Sequence, residues 1–292
     1  MITLQDLNDA APGDFVASLA SIYEHSPWVA EEVATTRPFA SLAALHAAME
    51  QSVRAASTAR QLALINAHPD LAGKLARAAG LTDFSAAEQS GIGLDRLNDS
   101  EFARFHSLND SYRARFGFPF IICVRRHTRA SVLRQFERRL HHDAAQEQAT
   151  ALNEITRIAA LRLDQAVQAP DRLAVHGRLS THVLDTHGGR PAPGISVTLF
   201  EVEPDGTLFT RAQRITNADG RTDSPLISGQ PLPIGTYELR FSIGVHYAGL
   251  ADLPDPPFLD EIPLRFSIAE PEGHYHVPLL MTPWSYATYR GS

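Results

Sequence analysis

Apolar residues recur at helical spacing through the first part of the chain and alternate through the second. Phe15, Val16, Leu19, Ile22 and Tyr23 predict a helix over 13–25, and Leu42, Leu45, Met49, Val53, Leu62 and Ile65 extend the pattern over 41–65. Ser85 followed by Glu88 three residues on is a capping box for a short helix over 85–90. Phe102, Phe105, Leu108 and Tyr112 define another helix, which should stop near Gly117 because Pro119 blocks its continuation. Residues 129–140 and 143–167 complete a set of seven or eight helices. From Leu179 the grammar changes. Leu179, Thr181 and Val183, then 195–200, then 235–241, are β-branched and aromatic runs of strand character. Glu203-Pro204-Asp205-Gly206 and Asn217-Ala218-Asp219-Gly220 are turns, and a short helix is expected at 248–253. Turns at about ten-residue spacing suggest an antiparallel sandwich. The pattern predicts a multi-domain chain: an all-α helical bundle over 1–168, then an all-β sandwich over 173–292.

Proline sharpens this division. Residues 1–169 hold 5 of the 19 prolines and residues 170–292 hold 14. Proline is costly inside a helix, so the second part cannot be largely helical. The join falls near Gln168-Ala169-Pro170-Asp171, a polar, proline-marked boundary.

Composition excludes several classes. The 292 residues carry a net charge of −7, which gives no electrostatic footprint for nucleic acid or an anionic membrane. No run approaches the roughly 18 apolar residues of a membrane span. The one cysteine, Cys123, sits in the apolar run Phe120-Ile121-Ile122-Cys123-Val124, and reads as a buried, inert thiol. It excludes a disulfide framework and a cysteine-rich zinc site. Neither end resembles a targeting segment, so a soluble protein of a bacterial cytoplasm is expected in preference to a peroxisomal one.

In the second part, Leu179-Ser180-Thr181-His182-Val183-Leu184-Asp185-Thr186, with Gly189-Arg190-Pro191-Ala192, stands near the start. Tyr275-His276-Val277-Pro278-Leu279-Leu280 and Tyr289-Arg290-Gly291-Ser292 stand at the end. Alone, a strand histidine is a satisfied or exposed residue, and an arginine after a turn glycine is solvated. A chain end frays by default, although Trp284, Tyr286 and Tyr289 argue that this one is packed. Together these segments resemble 5-hydroxyisourate hydrolase, the transthyretin-related enzyme of urate breakdown, over about 173–292. The resemblance implies a transthyretin-like sandwich and a homotetramer, with sites between subunits where histidines of different chains meet. It implies His182, Arg221 and His276 as catalytic residues together with Ser292, while Tyr289, Arg290 and Gly291 line the pocket. A histidine of near-neutral pKa suits activation of water, and a guanidinium suits the developing charge.

In the first part, Ile65-Asn66-Ala67-His68-Pro69-Asp70-Leu71-Ala72-Gly73-Lys74, Ser85-Ala86-Ala87-Glu88-Gln89 and Phe116-Gly117-Phe118-Pro119-Phe120-Ile121 occur in order. Without further context His68 is a helix-boundary residue before proline, Glu88 a capping residue and Arg162 a solvated helix residue. The order resembles OHCU decarboxylase, which acts on 2-oxo-4-hydroxy-4-carboxy-5-ureidoimidazoline, over about 5–167. Gly91-Ile92-Gly93 departs from it, since an alanine is expected at Ile92. The resemblance implies His68, Glu88 and Arg162 as catalytic residues: His68 as proton donor held charged by Glu88, Arg162 as anchor for the ureido or ring oxygens. It implies Pro69, Ser85 and Gln89, with the backbone of Phe120, Ile121, Ile122, Cys123 and Val124, as the seat of the ring. The substrate has a carboxylate one carbon from a C=N bond and so carries its own electron sink, which calls for no cofactor. No metal is expected.

The two resemblances support each other, because the product of the hydrolase is the substrate of the decarboxylase. They predict a bifunctional enzyme of urate breakdown, similar to the allantoin synthases, that takes two small molecules and yields (S)-allantoin. The alternative is a single-activity decarboxylase whose transthyretin-like part serves only for binding or tetramerisation.

Overall fold

The computed structural model describes residues 2–71, 88, 94, 97–250 and 253–291. The chain divides into two compact units, Met1–Val175 and His176–Ser292. Ser85, Gln89, Gly91 to Gly93 and Ser292 lie outside the described residues, as does the expected helix over 85–90 apart from Glu88.

The first unit contains helices α1 (Leu4–Asp9), α2 (Pro12–Leu19), α3 (Trp28–Val33), α4 (Leu42–Ala55), α5 (Thr58–Asn66), α6 (Asp99–Phe116), α7 (Arg129–Arg139) and α8 (Ala144–Ala166). Short strands β1 (Ile2–Thr3) and β2 (Val167–Gln168) pair in parallel and tie the two ends of the unit together. The boundaries follow local chemistry. Asn98 accepts from the Glu101 N–H while the Glu101 side chain reciprocates, opening α6, and Gly117 at φ 77° closes it. The helix expected over 13–25 ends instead at Leu19, where the chain turns through His25 at φ 45° and reaches Pro27. Ile22 and Tyr23 are buried all the same, which is why they extended the helical pattern. The run 41–65 breaks at Ala56, and the Ser57 hydroxyl caps a fresh helix.

The second unit is built from β3 (Gly177–Ser180), β4 (Val183–Asp185), β5 (Arg190–Pro191), β6 (Ser196–Val202), β7 (Leu208–Ile215), β8 (Ile227–Gln230) and β9 (Gly235–Ser242). After a turn of helix α9 (Gly244–Tyr247) come β10 (Glu261–Ile268), β11 (His274–His276), β12 (Leu279–Met281) and β13 (Tyr286–Ala287). The sheet β10-β9-β6-β7 is antiparallel throughout. The orders β11-β3-β8 and β13-β12-β4-β5 complete the β-structure. In these, β11 runs parallel to β3 and β12 parallel to β4, two exceptions to the antiparallel pairing expected of the sandwich. Alternation of side chains reports which face is buried and says nothing of strand direction. A turn of helix sits at 244–247 and ends at extended Ala248, and residues 251 and 252 of the helix expected over 248–253 lie outside the described residues. Leu179, Val183, Val197, Leu199, Leu239, Phe241 and Ile262 form the core.

One glycine positions a site residue. Gly220 has φ 69°, and a Cβ there would lie 2.2 Å from the Val183 carbonyl oxygen. Its own carbonyl accepts from the Val183 N–H at 2.8 Å. Gly220→Ala is expected to cost about 1–3 kcal/mol and to displace Arg221, the next residue. A lower melting temperature with weakened action at this site would bear that out; an unchanged melt would not.

Candidate active sites

His68 lies just past the end of α5, whose Leu64 and Ile65 are buried. The His68 Nδ1 is 3.0 Å from the Leu64 carbonyl oxygen. A carbonyl only accepts, so Nδ1 carries the proton and Nε2 the lone pair of the neutral ring. His68 is buried, and that burial pushes its pKa down to about 4, with Arg162 nearby acting in the same direction. The Leu64 hydrogen bond and Glu24 oppose the shift without cancelling it.

Arg162 projects from α8 with its side chain 1% exposed. Its Nε donates to Glu88 Oε1 at 3.0 Å and its Nη2 to Glu88 Oε2 at 2.9 Å, a bidentate pair. Its Nη1 donates to Glu24 Oε2 at 2.8 Å. Glu88 is therefore the partner of Arg162, and the expectation that it holds His68 charged is corrected. A neutral His68 follows from desolvation outweighing the nearby acids. Burial within this acidic pair also replaces the solvated Arg162.

His68, Glu88 and Arg162 open onto one cleft. Pro69, Phe120, Ile121, Ile122 and Val124 line it, together with Leu71 and Ile158, which sequence reasoning missed. Cys123 does not line it: its N–H donates to Glu154 Oε2 at 2.8 Å, and burial pushes its thiol pKa up. The Ile121 carbonyl accepts from Arg139 Nη1 at 2.7 Å, and Arg139 in turn pairs with buried Glu147. Side chains of α7 and α8 thus satisfy the Ile121 carbonyl and the Cys123 N–H of the lining segment. Glu24 was also missed; nothing local marks an acid 138 positions from its arginine.

The second cluster lies where β3 passes into β4. His182 bridges to Arg221, and its Nε2 is 2.8 Å from the Asp219 carbonyl oxygen, which leaves the lone pair on Nδ1. His276, at the end of β11, has Nδ1 3.0 Å from the Ser180 hydroxyl. Both histidines are held below their ordinary pKa, first by partial burial and then by the Arg221 guanidinium. His276 also feels His182, so a single chain brings all three residues into electrostatic reach of one another. Neutral imidazoles result, the form that accepts a proton. The Gly291 N–H donates to the His276 carbonyl at 2.8 Å, and the Gly291 carbonyl accepts from the His276 N–H at 3.2 Å. Arg290 lies over the Tyr275 ring and donates to Glu270 at 3.1 Å. The tail is thus fastened by backbone pairing and by Arg290. Trp284, Tyr286 and Tyr289 remain 54%, 46% and 57% exposed, which corrects the expectation that the aromatics pack it down.

Residues 8–164 match the OHCU decarboxylase family, and residues 179–291 match the HIUase/transthyretin family. The chain belongs to both families. Its HIUase unit is 53% identical, over 117 residues, to 5-hydroxyisourate hydrolase of Deinococcus radiodurans, covering 40% of this chain and 98% of that one. Its OHCU decarboxylase unit is 43% identical, over 162 residues, to 2-oxo-4-hydroxy-4-carboxy-5-ureidoimidazoline decarboxylase of Haloferax volcanii, covering 56% of this chain and 94% of that one. A crystal structure of (S)-allantoin synthase matches 100% of both chains at 36% identity, with a TM-score of 0.53. The OHCU decarboxylase unit thus carries the His68 cleft, and the HIUase unit the His182–Arg221–His276 cluster. Among the described residues, no helix is long and apolar enough to cross a membrane, and no group of three His, Cys, Asp or Glu is placed to hold a metal ion.

Proposed function

We propose that this chain is a bifunctional enzyme of urate breakdown: the HIUase unit hydrolyses 5-hydroxyisourate to OHCU, and the OHCU decarboxylase unit converts OHCU to (S)-allantoin. The observation that carries the reading is the presence, on one chain alike end to end to (S)-allantoin synthase, of two polar clusters suited to two different reactions.

In the hydrolase site His182 and His276 act as the bases that orient and deprotonate water, and Arg221 holds the substrate and its developing oxyanion. Tyr289, Arg290 and Gly291 are assigned to line the pocket, and Ser292 to the catalytic set. In the cleft, the alternating donors and acceptors of the Arg162–Glu88 pair suit a ureido group or ring amide, which offers both C=O and N–H. A neutral His68 admits the anionic carboxylate with a proton, because an anion beside the ring raises its pKa. The C–C bond then breaks toward CO2, its electron pair enters the adjacent C=N bond, and His68 returns one proton to one face of the carbon. Charge and atoms balance with one proton taken up per CO2 released. Pro69, Leu71 and the segment 120–124 keep water from the carbanion, with Ser85 and Gln89 assigned to ring binding. Phe258, Trp284 and Tyr286 leave apolar surface exposed on the HIUase unit, which supports a homotetramer assembled through it.

Circular dichroism is followed after the protein is mixed with urate and urate oxidase. A fast rise to enantiopure allantoin is expected. A slow signal drifting toward racemic product would mean that the decarboxylase unit is silent. Adding a separate OHCU decarboxylase would then show whether the HIUase unit hydrolyses or serves only as a tetramerisation module.

A further inference from the structure

Parallel pairing sets His274 opposite Arg178, Tyr275 opposite Leu179 and His276 opposite Ser180. Side chains alternate along a strand, so buried Tyr275 and Leu179 face the core and leave Ser180, His274 and His276 on the other face. There the Ser180 hydroxyl lies 3.0 Å from Nδ1 of His276 and 3.2 Å from Nε2 of His274. A hydroxyl has one proton to give, so it accepts from one ring and donates to the other. A second contact fixes the ring of His276: a Cβ at Gly291 would lie 3.0 Å from its Cδ2, so the tail backbone is packed against that edge. His276 is partly buried and His274 exposed, so the three groups lead from the hydrolytic cluster to solvent.

We propose that Ser180 and His274 form a proton-relay arm behind His276, a reading that rests on hydrolysis at this site. As His276 takes a proton from the attacking water at Nε2, its Nδ1 proton passes to Ser180 Oγ and the Ser180 proton passes to Nε2 of His274. The water oxygen bonds to the carbonyl carbon, His276 stays neutral, and the charge rests on exposed His274. When the ring C–N bond breaks, the leaving nitrogen takes the Nε2 proton of His276. The arm then runs in reverse, His274 returning its proton through Ser180 to Nδ1. The physical gain is that no imidazolium is built at His276, where partial burial first, and then Arg221, His182, His274 and Arg178, disfavour positive charge.

The test uses the full chain and 5-hydroxyisourate generated by urate oxidase, with rates read above uncatalysed decay. Ser180→Ala is expected to lower kcat about tenfold or more, with KM within about twofold, and Ser180→Thr to restore it. His274→Gln is expected to lower kcat similarly, with recovery on adding free imidazole. Melting curves of the variants identify any fold defect, and the Ser180→Thr and imidazole rescues hold independently of it. Wild-type kcat in His274→Gln, or an effect of Ser180→Ala on KM alone, would overturn the relay. A wild-type chain that leaves the decay unaccelerated would overturn the hydrolase reading and the relay with it.

Discussion

Substitution of Arg162 by methionine is expected to cost about 3–5 kcal/mol of stability and to lower OHCU turnover about a hundredfold or more. Methionine keeps much of the packing volume and removes the guanidinium. Glu24, 2% exposed, and Glu88, 13% exposed, then share a low-dielectric space with no cation between them. Carboxylates that lose this cation shed charge by taking up protons. The loss of stability is therefore largest near pH 8 and shrinks as pH falls toward 5. Arg162→Lys should fall between wild type and methionine, because an ammonium cannot make the bidentate contact to Glu88. Urea unfolding at the two pH values, beside a decarboxylation assay, measures both effects, and hydrolysis by the HIUase unit is the control. A variant within 1 kcal/mol of wild type at pH 8 would show that the Glu24–Arg162–Glu88 cluster does not hold the unit together.

Much of this arrangement was readable from local chemistry. The Gly117 stop, the proline divide and the His68-Pro69 boundary all rest on contacts within a few residues. What escaped was set by tertiary partners. Glu88 satisfies a capping pattern, yet its carboxylate lies on an arginine 74 positions away. His68 and Glu88 invite a His–carboxylate pair by family order, but desolvation is a property of the packed unit and determines the charge of the ring. Tyr289 reads as a buried tail residue because aromatics are usually inside, whereas the tail is held through Gly291 backbone bonds that have no side-chain signature. The parallel direction of β11 and β12 is equally invisible to a pattern of period two.

The second large effect concerns His68. His68→Asn is expected to lower OHCU decarboxylation by about 10²–10⁴-fold, the range of a lost general acid–base group, and residual product should lose its enantiomeric excess. The neutral ring also sets the pH dependence. His68 takes up its proton together with the substrate and kcat/KM reports the free enzyme, so with a pKa of about 4 in the free cleft kcat/KM for OHCU should rise as pH falls from 8 toward 4. A His68 held charged by a carboxylate would instead keep kcat/KM level until pH rose through its pKa near neutrality, and that profile would overturn the assignment. Stability is linked to the same shift. The unfolded histidine titrates at 6.5 and the folded one at about 4, so between these values the unfolded chain binds the extra proton. Stability is complete above 6.5 and drains away as pH falls, by about 3 kcal/mol in all. His127, buried beside the Ser131 hydroxyl at 2.8 Å and also pushed down to about 4, adds a drain over the same window. His68→Gln should therefore flatten the acid limb of the stability curve of the OHCU decarboxylase unit by about 1.4 kcal/mol per pH unit, and His68→Gln with His127→Gln by twice that. Acid limbs that match wild type in both variants would show that the rings enter the folded unit already charged, and enantioselective turnover by His68→Asn would remove His68 from the proton path.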